Sequence, residues 1–181
     1  MNFDTPLVEY LIIGMHTSTW IYLVCLKLLK LPIATLLKVD ATIVLFLLPF
    51  FYIVGMIFDD ITFRLLSSKI TKIKRNVFGS KSYKDETIAF KSEVLYNAYE
   101  ARVRRVRIIG AAIFNWPLLG FSLAINIDIG NRILIPLIIT TIVLTILSWY
   151  IWNGLNNRAY KFRKNAIDVI EKIKEDIKVN K

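Results

Sequence analysis

Two long apolar runs stand out in the sequence: IVLFLLPFFYIVGMIF at Ile43–Phe58 and ILIPLIITTIVLTIL at Ile133–Leu147. Neither run contains an ionised side chain, whereas the surface helices of soluble proteins carry a polar face along their length. A bilayer core of about 30 Å needs about 20 helical residues to span it. The runs therefore predict two membrane-spanning helices, at Ala41–Asp60 and Ile133–Trp152.

Two further stretches are long and apolar enough to span a membrane, Val8–Leu28 and Ile108–Ile129. Basic residues are distributed unevenly around the four stretches, because 20 of the 24 Lys and Arg residues lie in Arg64–Arg107 and Arg158–Lys181. Cytoplasmic segments of membrane proteins carry such an excess of positive charge. The sequence therefore predicts a multi-pass protein of the inner (cytoplasmic) membrane, with its N- and C-termini in the cytoplasm.

The charged segments between and after the predicted spans have a helical pattern of their own. Apolar residues recur at helical spacing from Arg64 to Gly79, a natural helix terminator, and a second helix is expected from about Asp85 into the third span. The predicted fold class is all-α, with four transmembrane helices, a small cytoplasmic helical hairpin and a C-terminal helix. The predicted division is 8–60 for spans one and two, 61–107 for the hairpin, 108–152 for spans three and four, and 153–181 for the C-terminal helix.

The composition limits the classes of function. A net charge of +10 would favour nucleic acid as the partner of a soluble protein, but the charge bias of a membrane protein already accounts for most of it. The remaining cations favour contact with anionic lipid headgroups, and nucleic acid is not expected. The sequence has no His-Glu-x-x-His, Gly-x-Ser-x-Gly, P-loop or dinucleotide glycine motif. Neither an enzyme activity nor a cofactor is therefore expected.

Three polar residues are predicted at a similar depth in three spans: His16, Asn115 and Thr145. Such a layer permits an interhelical hydrogen-bond cluster. The cluster either joins the helices or makes His16 a protonation switch, since histidine titrates near neutrality. A metal site is not expected, because no second ligand residue lies at that depth.

Other polar residues of the spans allow either packing or conduction. Thr141, Thr145 and Ser148 form a stripe on one face of the fourth span, which either packs against a neighbouring helix or lines a pore between several copies. Asp59 and Asp60 end the second span near the cytoplasmic headgroups, and Asp60 is expected to pair with Arg64 at i,i+4 spacing. In the alternative interpretation, several copies of the chain bring these acids into a ring that forms a cation vestibule.

Four arginines crowd the entry of the third span: Arg102, Arg104, Arg105 and Arg107. Arginines at this position commonly anchor a helix to anionic lipid. They are also suited to binding a phosphorylated small ligand, because the guanidinium fork pairs with phosphate. Docking of an acidic partner protein in the cytoplasm is the third interpretation.

Two hypotheses of function follow from this organisation. In the first, the protein is a homo-oligomeric channel, pore or membrane-perturbing effector that is gated through its cytoplasmic helices. Effectors of bacterial antiviral defence have a similar architecture, which is an analogy and not a motif. In the second, it is a non-conducting accessory, immunity or anchoring subunit that recruits or blocks a partner protein at the membrane.

Overall fold

The computed structural model describes residues 6–32, 41–79, 92–126 and 131–179. In these ranges all regular structure is α-helix, and the four helices are α1 (Pro6–Leu28), α2 (Ala41–Phe78), α3 (Glu93–Asn126) and α4 (Asn131–Val179). Each helix is long and apolar enough to cross a membrane. The predicted all-α class with four such helices is therefore confirmed.

Three of the four helices contain an internal proline: Pro49 in α2, Pro117 in α3 and Pro136 in α4. Proline removes a backbone donor and usually interrupts a helix in water. Membrane helices tolerate it, because neighbouring groups satisfy the freed carbonyl. The continuity of α2, α3 and α4 through these positions is typical of membrane helices.

The ends of the helices follow ordinary capping chemistry. Helix α2 ends where the predicted terminator Gly79 adopts a φ of 65° and its N–H donates to the carbonyl of Arg75 at 2.8 Å. This left-handed conformation suits glycine, which has no Cβ. Ser92 caps the start of α3, because its hydroxyl accepts the N–H of Leu95 at 3.3 Å. The start expected near Asp85 lies outside the described residues.

The chain divides into two compact units. Unit 1 consists of Met1–Leu65 and Arg107–Ile151, and unit 2 consists of Leu66–Val106 and Trp152–Lys181. Unit 1 contains six basic and six acidic residues, whereas unit 2 contains 18 basic and eight acidic residues. The whole net charge of +10 therefore belongs to unit 2.

In unit 1, α1 and α2 cross in opposite directions with their backbones in contact. A Cβ added to Gly14 would overlap the carbonyl oxygen of Phe51, and one added to Gly55 would overlap the carbonyl oxygen of Tyr10. The ring of Tyr10 also meets that of Tyr52 edge to face, with 5.6 Å between centroids. Only glycine at both positions permits this approach, as is common between membrane helices.

Helix α3 runs in the same direction as α1. Asn115 of α3 lies beside Thr17, and the side chain of Asn126 donates to the carbonyl of Leu23. Helix α4 approaches α3 where Gly120 leaves room for the side chain of Thr141. These contacts join α3 to α1 through polar groups and to α4 through a close approach at Gly120.

Unit 2 has a small mixed core. Ala166 and Ile167 of α4 are buried against Leu95 and Tyr96 of α3. The guanidinium of the buried Arg163 lies 5.4 Å from the ring centre of Phe78 and 5.9 Å from that of Tyr99. Arg163 thus joins α2, α3 and α4 through ring faces, an arrangement in which the cation is stabilised by the ring quadrupoles.

Candidate functional site

A cluster of three ionic side chains lies in unit 1, with one residue from each of three helices. A guanidinium nitrogen of Arg107 in α3 lies 3.5 Å from a carboxylate oxygen of Glu9 in α1. Another nitrogen of Arg107 lies 3.9 Å from a carboxylate oxygen of Asp59 in α2. We call these three residues the ion cluster. One cation is thus shared by two anions.

Burial differs strongly within the ion cluster. The side chain of Glu9 is 2% exposed, whereas those of Asp59 and Arg107 are 15% and 38% exposed. A buried carboxylate is costly unless a cation and hydrogen bonds compensate for the lost hydration. The placement of Glu9 therefore depends on Arg107, and the cluster ties α1 to α3 at one end of the bundle.

A second polar group, the amide node, lies farther along the same two helices. Its centre is Asn115, which is 1% exposed. The side-chain oxygen of Asn115 accepts hydrogen bonds from the hydroxyl of Thr17 at 3.2 Å and from the indole N–H of Trp20 at 2.9 Å. Both donors come from α1, so the amide node fixes the rotation of α1 relative to α3.

His16, Asn115 and Thr145 were predicted to form one polar layer with shared hydrogen bonds. In the structure each of the three has a different partner. His16 meets the ring of Trp116 edge to face, with 4.6 Å between centroids. Thr145 donates to the carbonyl of Thr141 in its own helix at 2.8 Å. The hydrogen bonds of Asn115 go instead to Thr17 and Trp20.

The stripe of Thr141, Thr145 and Ser148 on α4 is partly buried in unit 1. Thr141 packs against Gly120 of α3, and Ser148 is 6% exposed. Thr145, between them, is half-buried. The contact between Thr141 and Gly120 joins the stripe to a neighbouring helix.

The two interfacial acids have separate partners. Asp60 pairs with Arg64 at 2.8 Å, as the i,i+4 spacing predicts, but both side chains are more than half exposed. Such surface pairs contribute about 0.5 kcal/mol. Asp59 instead approaches Arg107 and belongs to the ion cluster.

The four arginines at the entry of the third span also divide. Arg107 belongs to unit 1, and the other three belong to unit 2. Arg102 donates a hydrogen bond to the carbonyl of Ala98 at 2.6 Å. Its guanidinium carbon lies 3.9 Å from the ring centre of Phe162. Arg104 is half-buried and Arg105 is exposed.

Sequence reasoning missed the α1 members of both polar groups: Glu9, Thr17 and Trp20. The signal that would have found two of them is a constant separation along the chain. Glu9 precedes Arg107 by 98 residues, and Thr17 precedes Asn115 by the same number. Two helices that run in the same direction can match polar residues at such a fixed offset.

The contacts between the three residues of the ion cluster are ion pairs. In the described part of the chain, no group of three His, Cys, Asp or Glu side chains is arranged to hold a metal ion. Comparisons of the chain with protein-family models, with curated proteins and with solved structures found no match.

Proposed function

We propose that the protein is a non-conducting anchor of the cytoplasmic membrane, with both termini inside, whose cationic unit 2 recruits or blocks an acidic partner protein. The observation that carries this proposal is the partition of charge. Unit 1 is neutral, and unit 2 has the whole net charge of +10. A field of one sign attracts acidic partners and accelerates their association.

Membrane insertion is supported by the surface of the apolar helices. Large apolar side chains of α4 are exposed on several sides, among them Ile133, Ile135, Ile138 and Val143. Exposed apolar patches larger than a few hundred Å² are rare on soluble monomers. Lipid is the solvent that suits such a surface, and the basic flanks favour a cytoplasmic location for unit 2.

The contacts of unit 1 favour an anchor over a pore. A pore between copies needs polar groups on the outer surface of the bundle. Thr141 is occupied by its contact with Gly120, Ser148 is buried, and Asn115 is bonded to α1. Self-association of the chain stays a prediction, and the anchor does not require it.

Anionic headgroups are expected to contribute to the position of unit 2. Each well-placed Lys or Arg near an anionic surface adds about 1 kcal/mol of attraction. The exposed Arg105, Lys69 and Lys72 are suited to this contact or to an acidic protein surface. A small number of these cations is sufficient for attraction, so the remainder are available to the partner.

The decisive experiment is ion flux into liposomes that contain the purified protein and a potential-sensitive dye. An anchor gives the same flux as empty liposomes at every applied potential. Sustained conductance would refute the anchor and support the competing hypothesis of a channel or membrane-perturbing effector. Reporter fusions after Lys84 and Lys181 should both report a cytoplasmic location.

Partner binding is tested by photo-crosslinking in cells from a probe at exposed Glu93 of unit 2. We expect a crosslink to an acidic protein that is lost when Lys69 and Lys72 are both replaced by Glu. Replacing Arg64 by Glu, a single charge reversal in unit 1, is the control and should leave the crosslink intact. Crosslinks that do not respond to either change would contradict recruitment by charge.

A further inference from the structure

A polar groove in unit 2 lies between the last turn of α2 and one face of α4. It has a volume of about 590 Å³ and is open to solvent. Six polar residues line it: Asn76, Asn157, Asn165, Lys161, Lys164 and Asp168. The α4 residues fall on one face of the helix, because they recur at intervals of three and four positions.

The cations of the groove are available to a ligand. Lys161 and Lys164 are exposed, and neither forms an ion pair with any other residue that the structure describes. An ammonium group offers three donors and no acceptor. Two such groups on successive turns of one helix favour a ligand with several anionic oxygens.

The amides add donors and acceptors between the cations. Asn76, Asn157 and Asn165 make no side-chain hydrogen bond with the described remainder of the chain. Each carboxamide supplies two donors and one acceptor oxygen. Three amides that line one groove suit a ligand with both acceptor and donor groups.

The acidic end of the groove restricts the ligand further. Asp168 is half-buried at the groove, and the last turn of α2 contributes the negative end of its dipole. Both features repel a second anionic group and attract hydroxyl or amino donors. The ligand is therefore expected to have an anionic end and a neutral, hydrogen-bonding end.

We propose that this groove binds a phosphate-bearing ligand, with the phosphate at Lys161 and Lys164 and hydroxyl or amino groups at Asp168. A groove of this volume is within the usual range for small-molecule sites. The same phosphate chemistry occurs in soluble phosphate esters and in phospholipid headgroups. The proposal goes beyond the anchor function, because it requires no partner protein.

The test is calorimetric titration of the full chain in phosphatidylcholine nanodiscs with ATP as the soluble probe. A parallel arm measures binding of phosphatidate by the full chain in nanodiscs that also contain this lipid. Binding of ATP in phosphatidylcholine assigns a soluble ligand, whereas a preference for phosphatidate without ATP binding assigns a headgroup. Absence of both would overturn the proposal.

Two double variants separate the groove from general charge. Lys161→Gln with Lys164→Gln should weaken probe binding about tenfold, as expected when two solvent-screened charge contacts are lost. In the ATP titration in phosphatidylcholine, Lys69→Gln with Lys72→Gln removes the same charge from exposed positions of α2 outside the groove and should change affinity less than about twofold. Equal losses in the two variants would show attraction by net charge alone and would refute the groove.

A third variant tests the amides without changing charge. Asn157→Ala with Asn165→Ala should weaken binding about threefold, since each neutral hydrogen bond contributes modestly. Unchanged affinity would contradict a defined site. All substituted residues in the three variants are exposed, so unit 2 is expected to keep its fold, which far-ultraviolet circular dichroism checks.

Discussion

Removing the cation of the ion cluster is expected to destabilise unit 1 strongly. In Arg107→Met the carboxylate of Glu9 stays buried, at 2% exposure, without the guanidinium 3.5 Å away. At this separation the direct attraction is about 5 kcal/mol for an effective dielectric constant of about 20. Solvent screens part of it, because Arg107 is 38% exposed. We therefore expect the free energy of unfolding to fall by about 3 kcal/mol, which is at the lower end of the range for a broken buried ion pair.

A double-mutant cycle isolates the contact between the two residues. Glu9→Gln alone should cost about 1 kcal/mol, because Arg107 keeps its approach to Asp59. The double variant should cost about 2 kcal/mol, less than the sum of the single losses, because no carboxylate is then left buried and unpaired at Glu9. The coupling energy is therefore expected to be about 2 kcal/mol.

Unfolding of the purified protein in mixed micelles, followed by tryptophan fluorescence, measures these free energies. Trp20 and Trp116 report on unit 1, where they contact Asn115 and His16, and the buried Trp152 reports on unit 2. Arg105→Met is the matched control and should cost less than about 0.5 kcal/mol, because Arg105 is exposed. Single losses that add without coupling would refute the ion cluster. If the loss for Arg107→Met instead depends on the content of anionic lipid in the micelles, it would support the interpretation that Arg107 anchors its helix to lipid headgroups.

Three further substitutions test other contacts by the same unfolding measurement. Gly14→Ala should cost about 3 kcal/mol, because its Cβ would overlap the carbonyl oxygen of Phe51 and force α1 from α2; a loss below about 1 kcal/mol would contradict the backbone contact. Asn115→Leu should cost about 1 kcal/mol by leaving the indole N–H of Trp20 without its acceptor, and a blue-shifted tryptophan emission should accompany it. Arg163→Met should cost about 2 kcal/mol, since its guanidinium faces two aromatic rings in the core of unit 2; no loss would show that those ring contacts contribute nothing.

The helices were predictable because the information that specifies them is local. The run Ile133–Leu147 is uncharged over a length that only a buried or lipid-exposed helix accommodates, and the stop at Gly79 needs one residue without a Cβ. The i,i+4 pair of Asp60 and Arg64 is local in the same way. None of these features depends on which helices are neighbours.

The bonding of the polar residues was not predictable from depth alone. His16 and Thr17 have nearly the same depth, but they point about 100° apart on a helix, and the structure turns Thr17 towards Asn115. Thr145 has an acceptor in its own helix, the carbonyl of Thr141, and therefore needs no partner on another helix. The rotation of each helix about its axis is set by neighbours that are distant in sequence.

The separation of 98 residues between Glu9 and Arg107 has a consequence for biogenesis. If the proposed membrane protein is inserted one helix at a time, the first segment is translated about 5 to 20 seconds before its cationic partner, at synthesis rates of about 5 to 20 residues per second. During this interval Glu9 is without the cation of Arg107. The nascent first helix is therefore expected to remain near the translocon until the third helix arrives, and truncation before Arg107 should expose it to membrane quality control.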